Sequence, residues 1–290
     1  MAAIPNFFGK GEPVFSFEFF LPKAPEDIDA FLSGVRELKT LDPKFVTLTY
    51  GAGGSGRDKT IETAGRIRAE IGVETACHLT CITHSQAEIA AILERLKALK
   101  IENVVALRGD KPKDQEVAPP GQRDFGYARD LVAFIKSKGG FGLAVAGYPE
   151  THPESISPED DLSRLKDKVA AGGDWVITQL FFDNADYFRF VEKARALGIT
   201  KPIVPGIMPV TGYSQLKRFT AMCGAKIPVE MTAQLEKIQA DPEAVIRFGI
   251  DHATKQCREL LDRGAPGVHF YTLNRSRSTS EILARLRKSL

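Results

Sequence analysis

The sequence has little cysteine and no long apolar run. It contains 4 Cys and 1 Trp among 290 residues, which excludes a disulfide framework and favours a reducing, cytoplasmic setting. The apolar stretches are short, as in Glu88–Leu93 and Phe141–Ala146, whereas a membrane helix needs about 20 apolar residues. Residues Met1–Lys10 lack a charged region followed by an apolar one. We therefore expect neither a signal peptide nor a membrane partner.

An excess of charge of one sign is also missing. The 39 Lys and Arg residues balance 37 Asp and Glu residues, for a net charge of +2, so nothing indicates binding to nucleic acid or an anionic membrane. The 43% hydrophobic and 26% charged residues are typical of a soluble globular protein and exclude a disordered chain. The length allows two small domains or one large α/β unit. Oligomeric state is open from sequence, with a homo-oligomer as the expectation.

Eight short apolar or β-branched runs are predicted as strands: Val14–Phe19, Phe45–Thr49, Thr75–Thr80, Val104–Leu107, Gly142–Ala146, Trp175–Gln179, Ile203–Ile207 and Val268–Tyr271. Each precedes a segment with apolar residues at helical spacing. This alternation predicts βαβ units and a parallel sheet. Eight units indicate one α/β domain over residues 1–290, a (β/α)8 TIM barrel with extra helices between strands seven and eight. A doubly wound sheet is the alternative.

The most informative single residue is Glu18, a carboxylate between Phe17 and Phe19 at the end of the first strand. TIM barrels carry their sites at the carboxyl ends of the strands. Burial among aromatic rings should raise the pKa of this carboxyl and suit it to general acid catalysis. The alternative is a Glu that points outward to a surface Lys or Arg. The only tryptophan, Trp175, is predicted to pack in the core.

Two weaker patterns suggest cofactor sites. Gly51–Gly56 fits the G-x-G-x-x-G pattern of dinucleotide-binding folds. However, the next strand does not end in a carboxylate that could bind a ribose, and eight βα units are not the pattern of such a fold. A flexible site loop is the preferred interpretation. Cys77–Cys81, with His84 nearby, hints at a metal, but strand alternation separates His78 from the cysteines and no second pair closes a zinc site. We predict buried thiols and no metal.

One predicted helix, Ser157–Ala171, carries Asp161, Arg164 and Lys168 on one face. A solvated charged face is the usual interpretation of such spacing, and a polar rim for a phosphate-bearing ligand is the functional one. The loop Gly109–Gly126 is long and contains several prolines. Its length is typical of a functional lid or a disordered insert.

Eight short motifs, in order, make the chain similar to methylenetetrahydrofolate reductases, and above all to the bacterial single-domain form. They are Phe15–Phe20, Thr49–Ala52 with Arg57–Asp58, His78–Cys81, Ala106–Asp110, Tyr148–Pro153, Ile177–Asp183, Pro205–Pro209 and His269–Arg275. They cover almost the whole chain. The resemblance implies a single catalytic barrel without the C-terminal regulatory domain of the animal and yeast enzymes.

The resemblance also implies chemistry. It implies bound FAD, reduced by NADH or NADPH, which then passes hydride to 5,10-methylenetetrahydrofolate in a ping-pong reaction of one-carbon and methionine metabolism. Glu18 would be the general acid that helps to open the folate ring. Asp110 would oppose negative charge on the reduced flavin and so tune its potential. The sequence does not indicate which nicotinamide cofactor is preferred.

Binding residues follow from the same motifs. The positions that would contact the flavin are Thr49, Tyr50, Ala52, His78, Arg108, Gly109, Asp110, Tyr127, Ala128, Tyr148, His152, Asp161, Arg164 and Lys168. The positions that would contact the folate are Glu18, Gln179, Gln215, Phe219 and Arg275. Phe219 would stack on a flat pterin or nicotinamide ring.

Two other functions remain open at this point. One is a cofactor-free barrel lyase or isomerase that acts on a phosphorylated substrate. The other is a barrel that binds folate or flavin without turnover, against which the presence of both Glu18 and Asp110 argues.

Overall fold

The computed structural model describes residues 4–22, 24–49, 57–111 and 116–288. Within them, nine strands form one sheet: β1 (Val14–Phe19), β2 (Phe45–Leu48), β3 (Glu74–Thr80), β4 (Asn103–Leu107), β5 (Gly142–Gly147), β6 (Trp175–Thr178), β7 (Ile203–Val204), β8 (Gly206–Ile207) and β9 (Gly267–Tyr271).

The helices of the same residues alternate with the strands up to β7. They are α1 (Ile28–Lys39), α2 (Arg57–Arg66), α3 (Gln86–Ala98), α4 (Ala128–Lys138), α5 (Pro158–Ala170), α6 (Asn184–Ala196), α7 (Tyr213–Cys223), α8 (Val229–Ile238), α9 (Pro242–Asp262) and α10 (Ser276–Arg287). A π-helical turn, Ile67–Ile71, extends α2. Helices α7 to α9 lie between β8 and β9 in sequence, which confirms the predicted extra helices.

The strands form a parallel barrel. Their order is β7-β6-β5-β4-β3-β2-β1-β9-β8. The two end strands are halves of the predicted seventh strand, separated by Pro205, which has no N–H to donate. One half pairs with β6 at Ile203 and the other with β9 at Gly206, so the split strand brings the two ends of the sheet together. This arrangement confirms the (β/α)8 barrel and excludes the doubly wound alternative.

The barrel interior is packed at one end and polar at the other. Val14, Phe45 and Trp175 fill the amino-terminal end together with the buried Ile4. Trp175 is 0% exposed and its ring meets Phe45 edge-on at 6.2 Å, which confirms its predicted core position. Because side chains alternate along a strand, the residues that follow Val14 on the same face of β1 lead toward the open, carboxyl-terminal end.

Capping residues fix where two of the site-bearing helices begin. Ser157 accepts a hydrogen bond from the backbone N–H of Asp160 at 3.1 Å, and Pro158 follows it at the first helical position. Both features are typical of a helix start, and they orient the charged face of α5. Helix α6 begins at Asn184, where the side chain of Asp183 caps it by accepting the backbone N–H of Ala185 at 2.8 Å.

The cysteine pattern belongs to the core. Cys77 and Cys81 pack in the cluster between the strands and the helices, while His78 lies on the opposite face of β3. Burial raises the pKa of both thiols to about 12, so they are inert at neutral pH. Within the described ranges, no three His, Cys, Asp or Glu side chains are grouped to hold a metal ion, and no helix is long and apolar enough to cross a membrane.

Candidate active site

A pocket of about 290 Å³ opens at the carboxyl ends of the strands. Polar and aromatic side chains at the ends of β1, β2, β3, β5, β6 and β9, and from α7, line it. Among the residues predicted from sequence, it brings together Glu18, Thr49, His78, Tyr148, Gln179 and Phe219. The predicted clustering of polar groups at this end of the barrel is therefore present in the structure.

Glu18 lies at the base of this pocket and is 6% exposed. Its Oε2 atom is 3.2 Å from Nε2 of His78 and 3.5 Å from Nε2 of His269. The hydroxyl of Thr47 on β2 donates to the same oxygen at 3.4 Å. The carboxylate thus points into the barrel between three polar side chains, which rules out the outward-facing alternative.

The predicted direction of the Glu18 pKa is wrong. Burial raises the pKa of this carboxyl, but His78 and His269 together lower it by more, through charge and hydrogen bonding. The pKa therefore falls to about 2. The effect of the two imidazoles on the Glu18 pKa is therefore larger than the effect of burial among aromatic rings. The carboxyl is ionised at neutral pH without ligands, so general acid catalysis by Glu18 needs a bound ligand that raises its pKa.

His269 is the polar residue that the sequence reasoning left without a role. It is fully buried on β9, its Nδ1 atom lies 2.8 Å from the hydroxyl of Ser16, and its ring stacks on Phe45. Ser16 and Glu18 occupy alternate positions of β1, so both face the barrel interior. Polar residues at inward-facing strand positions were the sequence signal that could have identified this network.

A second, larger cavity of about 730 Å³ adjoins the pocket, and Tyr148 lines both. The residues of this cavity that the sequence predicted are Arg108, Tyr127, Ala128, Tyr148, His152, Asp161, Arg164 and Lys168. The charged face of α5 thus borders a cavity rather than open solvent. Burial raises the pKa of Tyr148 to about 12, so its hydroxyl remains a hydrogen-bond donor.

The charges of this cavity are ordered by local partners. Arg108 binds Glu154 through two parallel hydrogen bonds of 2.5 and 2.9 Å. Lys168 donates to the carbonyl of Ala146 at 2.6 Å. Burial lowers its pKa to about 8, although Asp161 acts in the opposite direction. Asp161 itself accepts the backbone N–H of His152 at 3.1 Å.

Some predicted residues do not line either cavity. Gln215, on α7, hydrogen-bonds Thr211 at 3.0 Å, and Asp110 and Arg275 are exposed. Gly109 has a backbone φ of 85°, and a Cβ there would lie 2.9 Å from Cβ of Thr80. The backbone at this position therefore favours glycine. Tyr50, Ala52 and the glycine pattern 51–56 lie outside the described residues.

The fold and the site define a class: a TIM-barrel protein with a buried carboxylate at the mouth and an adjoining cationic cavity. Comparison with known proteins is more specific. The family model of methylenetetrahydrofolate reductase matches residues 3–287, and the chain belongs to this family.

Relatives from plants and bacteria agree with this assignment. The chain is 43% identical over 288 residues to methylenetetrahydrofolate reductase (NADH) 1 of Arabidopsis thaliana, an alignment that covers 96% of this chain and 49% of the relative. It is 40% identical over 261 residues to 5,10-methylenetetrahydrofolate reductase of Pectobacterium carotovorum, covering 90% and 86%. The chain thus spans about half the length of the plant relatives and most of the bacterial one.

A solved structure has the same fold. It is an uncharacterized protein from Clostridium thermocellum that binds two copies of 5-methyl-5,6,7,8-tetrahydrofolic acid. The TM-score is 0.70, with 14% identity and 99% coverage of both chains. At this identity the likeness supports the barrel fold alone.

Proposed function

We propose that this protein reduces 5,10-methylenetetrahydrofolate to 5-methyltetrahydrofolate with NADH or NADPH, using FAD as its cofactor. The observation that carries the proposal is Glu18, buried at the barrel mouth beside His78 and His269, in a chain of the methylenetetrahydrofolate reductase family. Residues 1–290 would act as one catalytic barrel. A cytoplasmic location and a homo-oligomer stay predictions.

The residues present fit a flavin dinucleotide. The 730 Å³ cavity is large enough to hold an extended ligand, and it carries the cations Arg108, Arg164 and Lys168. These side chains would hold phosphates, since guanidinium and ammonium groups are the usual phosphate partners. The smaller pocket beyond Tyr148 has aromatic and aliphatic walls suited to a flat ring. FAD bound there would supply a carrier that takes hydride from the nicotinamide and gives it to the folate.

Glu18 is the proposed proton donor to the folate. Its Oε2 atom, held by His78 and Thr47, is ionised in the free protein because its pKa is about 2. A ring bound over the pocket would exclude water and raise that pKa.

The folate would bind in the 290 Å³ pocket, which Gln179, just after β6, and Phe219, on α7, both line. Gln179 offers an amide that can both donate and accept, as recognition of a pterin requires. Phe219 offers a flat apolar face for stacking. The reduced folate that the Clostridium thermocellum protein binds belongs to the same chemical class as the proposed product.

Purification with and without added FAD tests the proposal. We expect a yellow protein that, under anaerobic conditions, oxidises more than one equivalent of NADH or NADPH per flavin only when 5,10-methylenetetrahydrofolate is present, with 5-methyltetrahydrofolate as the product. A colourless protein that takes up no FAD would contradict the cofactor. A flavoprotein that binds folate without turnover would contradict the reaction and favour a binding role.

A further inference from the structure

Arg123 lines the 730 Å³ cavity from the segment before α4. Its Nη2 atom donates to the carbonyl of Gly126 at 2.9 Å. Its Nε and Nη1 atoms are buried and have no hydrogen-bond partner among the described residues. A charged group with two unsatisfied donors is costly inside a protein, so this side chain needs a partner that the described residues do not provide.

The other arginines that line this cavity each have a carboxylate partner. Arg108 pairs with Glu154, and Arg164 pairs with Asp160 at 2.8 Å. Arg129 pairs with Asp167 at 2.9 Å. Among the arginines that line this cavity, Arg123 alone has no carboxylate partner in the described part of the chain.

Two carboxylates close in sequence to Arg123, those of Asp124 and Asp130, are engaged elsewhere. Asp124 accepts the backbone N–H of Gln86 at 2.7 Å. Asp130 accepts the backbone N–H groups of Gly126 and Tyr127 at 2.9 and 2.8 Å, at the start of α4. Both therefore satisfy helix-end donors, and neither is a partner for Nε or Nη1 of Arg123 among the described residues.

We propose that Arg123 binds a phosphate of the dinucleotide that occupies this cavity, an inference that rests on the proposed function. A guanidinium presents a planar fork of donors that matches phosphate oxygens. Arg108 and Lys168 line the same cavity and make it cationic. Nε and Nη1 are closed off from solvent in the structure, so phosphate binding by Arg123 would require its guanidinium to turn toward the cavity. One hydrogen bond, to Gly126, holds it back.

The test compares Arg123→Met with the wild type, using FAD and riboflavin as probes. Riboflavin has the ring but no phosphate. We expect flavin-fluorescence titrations of the apoprotein to show FAD binding weakened about 10- to 100-fold, the range for a lost charged hydrogen bond, and riboflavin binding unchanged. Thermal unfolding of the apoprotein should be unchanged or shifted upward, because the variant removes unsatisfied donors.

Two further variants sharpen the result. Arg129→Met removes the same charge from the same cavity wall but from an existing ion pair, and we expect a smaller loss of FAD affinity. Arg123→Lys keeps the charge without the fork and should recover part of the affinity. Equal losses for FAD and riboflavin, or unchanged FAD affinity in Arg123→Met, would overturn the role of Arg123.

Failure of the proposed function would look different. If the wild type bound no FAD, the cofactor assignment would fail, and inorganic pyrophosphate would then decide the role of Arg123. A rise in the unfolding temperature with pyrophosphate in the wild type but not in Arg123→Met would support a phosphate site. The same shift in both proteins, or none in the wild type, would overturn it.

Discussion

Asn274 satisfies both backbone hydrogen-bonding groups of Phe20. Its Oδ1 atom accepts the N–H of Phe20 at 2.9 Å, and its Nδ2 atom donates to the carbonyl of Phe20 at 2.7 Å. Leu273 and Asn274 both have positive φ, 52° and 58°, which is unusual for residues other than glycine. This strained turn therefore ties the segment after β9 to the segment after Glu18.

Removing the two hydrogen bonds between Asn274 and Phe20 should affect catalysis more than the stability of the fold. Asn274→Ala loses both hydrogen bonds, at about 0.5–1.5 kcal/mol each, and we expect the free energy of unfolding to fall by about 1–2 kcal/mol because the site is exposed. Folate reduction should slow while FAD affinity stays the same. Asn274→Asp retains the acceptor for the N–H of Phe20 and should be affected less. Denaturant unfolding measures the stability of the two variants, and half-reaction rates measure their folate reduction. Equal effects of Asn274→Ala and Asn274→Asp would contradict the proposed role of these hydrogen bonds.

FAD binding should weaken as the pH rises through about 8. Burial lowers the pKa of Lys168 to about 8, so the ammonium loses its proton above this pH and its attraction for a phosphate disappears. Bound phosphate raises that pKa, which makes the charged form the one that binds. Fluorescence titrations from pH 7 to pH 9 should show the decline in the wild type and not in Lys168→Arg. An identical pH profile in the two proteins would refute the assignment.

Any side chain at position 109 should destabilise the protein, because the backbone there is in the left-handed region. Gly109→Ala would place a methyl group 2.9 Å from Cβ of Thr80 at a φ of 85°, and we expect a loss of about 1–2 kcal/mol or more in unfolding free energy. Gly121→Ala is the matched control, since nothing lies within 4 Å of its Cβ position. It should be neutral or slightly stabilising. Comparable destabilisation of both variants would contradict the strain argument.

Asp110 is predicted to set the flavin potential through its charge. It is exposed, and its charge adds to the effect of burial in raising the pKa of Tyr148, so its field reaches the boundary between the two cavities. Asp110→Asn should raise the flavin potential and slow folate reduction. A change of about 1.4 kcal/mol corresponds to about 30 mV for a two-electron couple. Potentiometric titration of the two proteins checks this, and an unchanged potential would refute the electrostatic role.

Local patterns predicted the fold well, because strand runs and helical spacing depend on neighbouring residues. The break of the seventh strand at Pro205 was visible as a proline but its role in closing the barrel was not. The prediction of a raised Glu18 pKa failed for a different reason. His78 on β3 and His269 on β9 lower this pKa, and both are distant in sequence from Glu18, so their effect depends on how the strands assemble into the barrel. Arg123 lies in irregular chain without periodicity, and only its missing partner marks it.

Glu18 is proposed to serve the folate step and not the nicotinamide step. Anaerobic stopped-flow of wild type and Glu18→Gln measures both half-reactions separately. We expect flavin reduction by NADH or NADPH to stay within a few-fold, and reoxidation by 5,10-methylenetetrahydrofolate to fall by about 10²–10⁴ or more, the range for general acid catalysis. Equal loss of both half-reactions in a folded variant, or unchanged reoxidation, would contradict this role of Glu18.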